Sequence, residues 1–217
     1  MKKVIFLVVA AVTMIIATQA QEPTSSQLNS TVEKLASAMN IKSYQQLASE
    51  FANIAEAQKT NWLAWYYAAF CNAKIGWLLQ YDGDLIEPFA KKADEQIHKS
   101  LSLLDTATQK KELSEVYCVL SMVNRANVFI NPMTYGRKYG PAASKYIQFA
   151  RQIDPENPRA IYLQGWEKYS TPKMWGGDKK KAKELLELAA QRLNTQQVSG
   201  SYPHWGKKEV EETLKKL

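Results

Sequence analysis

The chain has 217 residues, 46% hydrophobic and 23% charged, with 28 Lys and Arg against 21 Asp and Glu, and only 2 Cys and 2 His. That is enough chain to bury a core without cross-links, and two cysteines exclude a disulfide-dense scaffold or a four-cysteine zinc site. A formal charge of +7 admits an anionic partner, but the Lys runs at 179–181, 207–208 and 215–216 fall on helical segments and read as solvated faces, so no nucleic-acid partner is expected.

Residues 1–20 carry Lys2 and Lys3, an apolar run from Val4 to about Ala17, and small residues at Thr18 and Ala20 before Gln21. Charge, apolar centre and small-residue exit are the parts of a secretory signal peptide. The rival reading, an uncleaved anchor, needs roughly 20 apolar residues to span a bilayer, more than this run supplies. Cleavage near Ala20/Gln21 predicts an exported, periplasmic or secreted protein with no stable membrane insertion of the mature chain. Residues 21–26 are expected to be a short flexible N-terminus, and 27–217 a single helical domain.

Beyond residue 25, apolar residues recur at three- and four-residue spacing, broken by Pro, Gly, Asn and Asp. Leu28, Val32, Leu35 and Met39 form one stripe. Ser43 is expected to cap the next helix, with Tyr44, Leu47, Phe51 and Ile54 on its apolar face. Asn61 precedes a run, NWLAWYYAAFCNAKIGWLLQY, that is apolar on nearly every face and predicts a buried helix. Asp82-Gly83-Asp84 breaks it, and Leu85 to Leu104 and Thr108 to Ile130 follow. Asn131-Pro132 and a loop containing Gly136, Gly140 and Pro141 are expected before a helix ending near Asp154-Pro155. Pro158 starts another helix, Thr171-Pro172 stops it, Asp178 caps one through about Leu193, and Gly206 to Leu217 close the chain. Residues 131–141 and 171–177 carry Met133, Tyr135, Tyr139, Met174 and Trp175, which predicts ordered insertions packed by those side chains. The class is all-α, with about nine helices.

A spacing recurs in three of these helices: small, apolar four residues on, small three further. Ala93, Ile97 and Ser100 fit it, as do Ala143, Ile147 and Ala150, and Ala182, Leu186 and Ala189. The preceding helices carry small residues among large ones, Ala69 beside Tyr66, Ser121 beside Leu120, and Gly165 beside Trp166. This resembles the tetratricopeptide (TPR) helix–turn–helix repeat over most of residues 43–193. The phrases NWLAWYYAAF, DPENPRAIYLQG, TPKMWGGDKKKAKELLELA and YPHWG are similar to those of small exported TPR-like proteins of Gram-negative bacteria. The resemblance implies a right-handed α-solenoid of antiparallel helix pairs: about three repeats, N-terminal helices and a C-terminal capping helix. Extra residues at 131–141 and 171–177 depart from a 34-residue period and imply long intra-repeat loops. The other interpretation is an irregular bundle in which such spacing arises from packing alone.

Catalytic machinery is not legible. Gly176-Gly177-Asp178-Lys179 is a capping turn rather than a phosphate cradle, and no zinc-protease, dithiol or serine-nucleophile motif occurs. Asp82, Asp84 and Glu87 lack calcium-loop spacing, so no metal and no cofactor are expected. His98 reads as a solvated surface residue, and His204 as a loop residue held against the last helix. Cys71 and Cys118 are either two buried thiols or, in an oxidising compartment, a disulfide. The expected function is a non-enzymatic TPR-like module binding a protein or peptide, its candidate contacts being Trp62, Trp65, Tyr66, Tyr67, Phe70, Lys74 and Trp77. These aromatics serve either as partner anchors or as packing between repeats. The alternatives are a solute- or peptide-binding accessory protein of the envelope and, with the N-terminal segment uncleaved, a membrane-tethered scaffold.

Overall fold

The computed structural model describes residues 22–217, so the expected signal peptide lies outside the described residues. Among the described residues the chain is all-α, with no strand. The helices are α1 (Glu22–Lys34), α2 (Ile41–Ala57), α3 (Trp62–Leu78), α4 (Glu87–Ser102), α5 (Lys110–Ile130), α6 (Pro132–Ile153), α7 (Pro158–Ser170), α8 (Lys179–Thr195) and α9 (Lys207–Leu214). Helix α1 begins inside the segment expected to be flexible.

Asx residues start most of them, because their side chains accept the first unpaired backbone N–H groups. Asn61 accepts from the Leu63 amide, Asn157 from Arg159 and Ala160, and Asp178 from Lys181. Helix α2 is capped by Asn40 rather than Ser43. Ser43 sits three residues into the helix and returns a bond to Asn40 in a reciprocal capping box.

The loop expected at 131–141 is absent. Asn131 ends α5 and its side chain accepts from the Thr134 amide, while Pro132 occupies the first position of α6, so one residue separates two long helices. Gly136, Gly140 and Pro141 lie within α6. Residues 171–177 form a 3-10 turn closed by bonds from the Gly177 amide to the Pro172 carbonyl and from the Asp178 amide to the Lys168 carbonyl. Of the side chains expected to order these segments, Met133 is 93% exposed, Met174 81% and Trp175 73%, while Tyr135 and Tyr139 pair with each other, edge-on. Order comes from the backbone instead.

Helices pair antiparallel. Ser100 near the end of α4 donates to the Trp62 carbonyl at the start of α3, and Ser114 at the start of α5 donates to the Ala150 carbonyl near the end of α6. Glu156, just before α7, pairs with Arg192 near the end of α8. Helices α3, α5 and α7 run parallel through the centre. Tyr66, Glu115 and Arg159 meet at one end; Trp77, Phe129 and Trp166 cluster at the other. All nine residues of the three recurring stripes are buried. Gly165 receives Leu186, whose Cγ lies 3.0 Å from the position a β-carbon would take.

Candidate functional site

Helix α3, apolar on nearly every face, packs between α2 and α4 and against α5. The C-terminal segment, which leaves α8 and returns across the molecule, meets it at Tyr66, Tyr67, Phe70 and Lys74.

Three contacts fasten that segment to α3. The Tyr67 hydroxyl donates to the Ser201 carbonyl at 2.9 Å, the Trp205 indole N–H donates to the Tyr66 hydroxyl at 2.8 Å, and the Lys74 ammonium pairs with Glu209 at 2.7 Å. The Trp205 ring stacks on Phe70 with centroids 4.6 Å apart and meets Tyr162 edge-on at 6.4 Å. Beneath it lies a buried polar network. The Tyr66 hydroxyl donates to Glu115, which also accepts from the Arg159 guanidinium at 2.7 Å and from Asn157 at 2.8 Å. Burial opposes the charge on Arg159, but Glu115 outweighs it and holds the guanidinium's pKa above its usual value.

Between the returning segment and the first three helices lies a cavity of about 340 Å³. Its apolar wall is Leu35, Ala36, Ala38, Tyr44, Tyr67 and Phe70, faced by Trp205; His204, Lys207, Lys208, Glu209 and Glu211 complete it. The phenols of Tyr44 and Tyr67 titrate well above the usual range, burial being the main cause, so both remain neutral hydroxyls. Burial also opposes ionisation of Glu209, yet Lys74 prevails and holds the carboxyl below its usual value. Gly206 turns the chain into α9 with φ +117°, a conformation disfavoured for other L-residues. The His204 ring approaches the Tyr202 carbonyl through Nδ1 at 3.0 Å.

The expected contact residues separate by role. Tyr67 and Phe70 line the cavity, and Lys74 reaches it through Glu209. Tyr66 is buried beneath Trp205. Trp65 packs in the core on the α4 side, with the Lys99 ammonium 4.0 Å from its ring, while Trp62 meets Tyr66 edge-on. Trp77 lies at the far end and donates to the Met122 carbonyl. Sequence reasoning missed Tyr44 and Trp205 as cavity residues. YPHWG gave a signal, an aromatic beside a helix-starting glycine, but nothing local indicated which helix it would meet. Cys71 and Cys118 are free, buried thiols whose pKa values burial raises. No group of three or more His, Cys, Asp or Glu side chains able to hold a metal ion occurs among the described residues. Nor is any described helix long and apolar enough to cross a membrane.

No protein-family model matches the chain, and no curated protein matches it. Among solved structures, the HusA haemophore from Porphyromonas gingivalis is similar, with a TM-score of 0.74 and 30% sequence identity over 86% of this chain and 89% of that one.

Proposed function

Because the chain belongs to the family of the HusA haemophore, we propose that it is an exported, non-catalytic binding protein whose cargo is a porphyrin held in the cavity under Trp205. A porphyrin is a flat apolar disc that carries its carboxylates along one edge. The observation that carries this reading is the chemistry of the cavity: aromatic and aliphatic walls, with Lys207 and Lys208 where the carboxylates need cations. Glu209 is already neutralised by Lys74 and does not repel that edge.

The buried small–apolar–small stripes and the pairs α3/α4, α5/α6 and α7/α8 support a TPR-like architecture. In this reading the C-terminal segment and α9 act as the cap, and residues 1–20 as a cleaved signal peptide delivering the protein to the periplasm or beyond. A second reading, a module for a protein or peptide partner, is supported by exposed Met133, Met174 and Trp175 at the end where α5 and α7 terminate.

Titration with haemin and with metal-free protoporphyrin IX, followed by the Soret band and by tryptophan quenching, tests the porphyrin assignment. Both rings are expected to bind the wild type, and Trp205→Ala is expected to weaken both by about tenfold or more, as for removal of an aromatic anchor. Trp175→Phe is expected to change neither. Failure of either ring to bind, or equal loss in Trp175→Phe, overturns the assignment and leaves the protein-binding module.

A further inference from the structure

Nine large hydrophobic side chains stand exposed among the described residues, and seven of them lie at one end of the molecule. Leu78, Tyr81 and Leu85 belong to the end of α3 and the turn after it, Met133 and Tyr135 to the first turn of α6, and Met174 and Trp175 to the turn between α7 and α8. Inside, this end is closed by Trp77, Phe129 and Trp166, and Gly83 packs there against the Phe129 and Ile130 carbonyls. None of the seven lines the cavity under Trp205. Single exposed apolar residues are ordinary, but a concentration of them rimmed by charge marks a surface that something else covers.

Charge divides this end. Between α3 and α4, Tyr81 and Leu85 are interleaved with exposed Asp82 and Asp84, and Glu87 follows. The other two segments are cationic. Residues 131–141 contain Arg137 and Lys138 and no acid, and residues 171–180 contain Lys173, Lys179 and Lys180 with one acid, Asp178. Asp178 is occupied in accepting from the Lys181 amide. All five cations are exposed, and among the described residues none of them is in an ion pair, whereas the next lysine, Lys181, pairs with Glu184 at 3.0 Å. The turn bearing Met174 and Trp175 is fixed by bonds from the Trp175 and Gly177 amides to the Pro172 carbonyl, and by the Lys168 ammonium on the Gly176 carbonyl at 2.9 Å. Its apolar tips are therefore already held out in the free molecule, which spares the cost of ordering them on contact.

We propose that the face formed by the first turn of α6 and the α7/α8 turn docks on the anionic headgroup surface of a phospholipid membrane, with Met133, Met174 and Trp175 entering the interface. A protein interface needs a packed apolar centre matched to a partner of fixed shape. Here the apolar side chains are separate tips on two segments with cations among them, an arrangement that a fluid interface accommodates one by one. Indole rings settle at headgroup level, and lysines without a counter-ion add attraction to anionic lipid. The contact is peripheral, since no described helix is long and apolar enough to cross a membrane. It is independent of what the cavity holds.

Flotation with vesicles of phosphatidylethanolamine and phosphatidylglycerol, against vesicles of phosphatidylcholine alone, tests the proposal. The wild type is expected to float with the anionic vesicles, to bind the neutral ones far less, and to be released as salt rises. The double variants Met174→Ser with Trp175→Ser, and Lys173→Gln with Lys179→Gln, are each expected to bind anionic vesicles about tenfold or more weakly. Tyr81→Ser is expected to bind as the wild type does, because its neighbours Asp82 and Asp84 keep that turn off an anionic surface. All the substituted side chains are exposed, so urea midpoints are expected to stay at the wild-type value and show that each variant is folded. A wild type that ignores anionic vesicles overturns the proposal and leaves this end to a protein partner. Equal binding to neutral vesicles, or a loss in Tyr81→Ser as large as that in the Met174 and Trp175 variant, overturns it as well.

Discussion

Arg159 is 1% exposed and its partner Glu115 2%; besides their mutual bond, Glu115 accepts from Tyr66 and Asn157, and Arg159 donates to Gln196. Removing one charge leaves the other buried without its counter-ion, so Glu115→Ala and Arg159→Ala are each expected to cost about 3–5 kcal/mol in urea unfolding. Their double mutant should cost less than the sum of the two. The Lys74–Glu209 pair gives a pH signature. Glu209 has a depressed pKa in the folded state, so its stabilisation is present above the unfolded carboxylate value and is lost as pH falls through the folded one. At neutral pH Glu209→Gln is expected to lose about 1–3 kcal/mol, the scale of a hydrogen bond to a charged group. The gap to wild type should close as pH drops below the ordinary carboxylate range; a gap independent of pH contradicts the assignment. Neither pair was legible in sequence. Arg159 inside PRAIYL and Glu115 inside LSEVYC carry no local signal of a partner, and only the fold brings these distant charges together.

Helix α8 shows which part of the spacing argument holds. The stripe of Ala182, Leu186 and Ala189 is buried, and Gly165 makes room for its large member, Leu186, with the Leu185 β-carbon 3.2 Å from the glycine's virtual β-carbon. The interface is a knob in a glycine hole. Leu186→Ala is therefore expected to cost about 2–5 kcal/mol through the cavity it leaves. Gly165→Ala and Ala189→Leu are expected to cost about 1–3 kcal/mol by overpacking. Exposed Lys183→Ala should stay within about 0.5 kcal/mol. Urea midpoints of the four variants check the order; an Ala189→Leu midpoint equal to that of Lys183→Ala contradicts close packing there. Helix starts were readable in advance at Asn61, Pro158 and Asp178, because their chemistry is local. Asn131-Pro132 was misread because the same two residues that stop α5 also start α6, and a breaker does not say whether a loop or a new helix follows.

At the scale of the whole molecule, the all-α class followed from periodicity, and the burial of the aromatic helix from its being apolar on nearly every face. The cavity did not, because its two walls are separated by most of the chain. Tyr67 and Ser201, Tyr66 and Trp205, and Lys74 and Glu209 are neighbours only after the C-terminal segment has crossed back over α3. In a simple stack of repeats each unit touches the next and stability accumulates locally. Here the last helix is fastened to one near the beginning, which resists unfolding from the C-terminal end and raises the mean sequence separation of contacts. Synthesis runs from the other end. While residues up to Thr195 emerge, Phe70 has no Trp205 to stack on, Tyr66 lacks the indole donor, and the aromatic face of α3 stands open. The cavity therefore comes into being with residues 196–217, and a nascent or C-terminally clipped molecule exposes one aromatic face of α3 in place of a pocket.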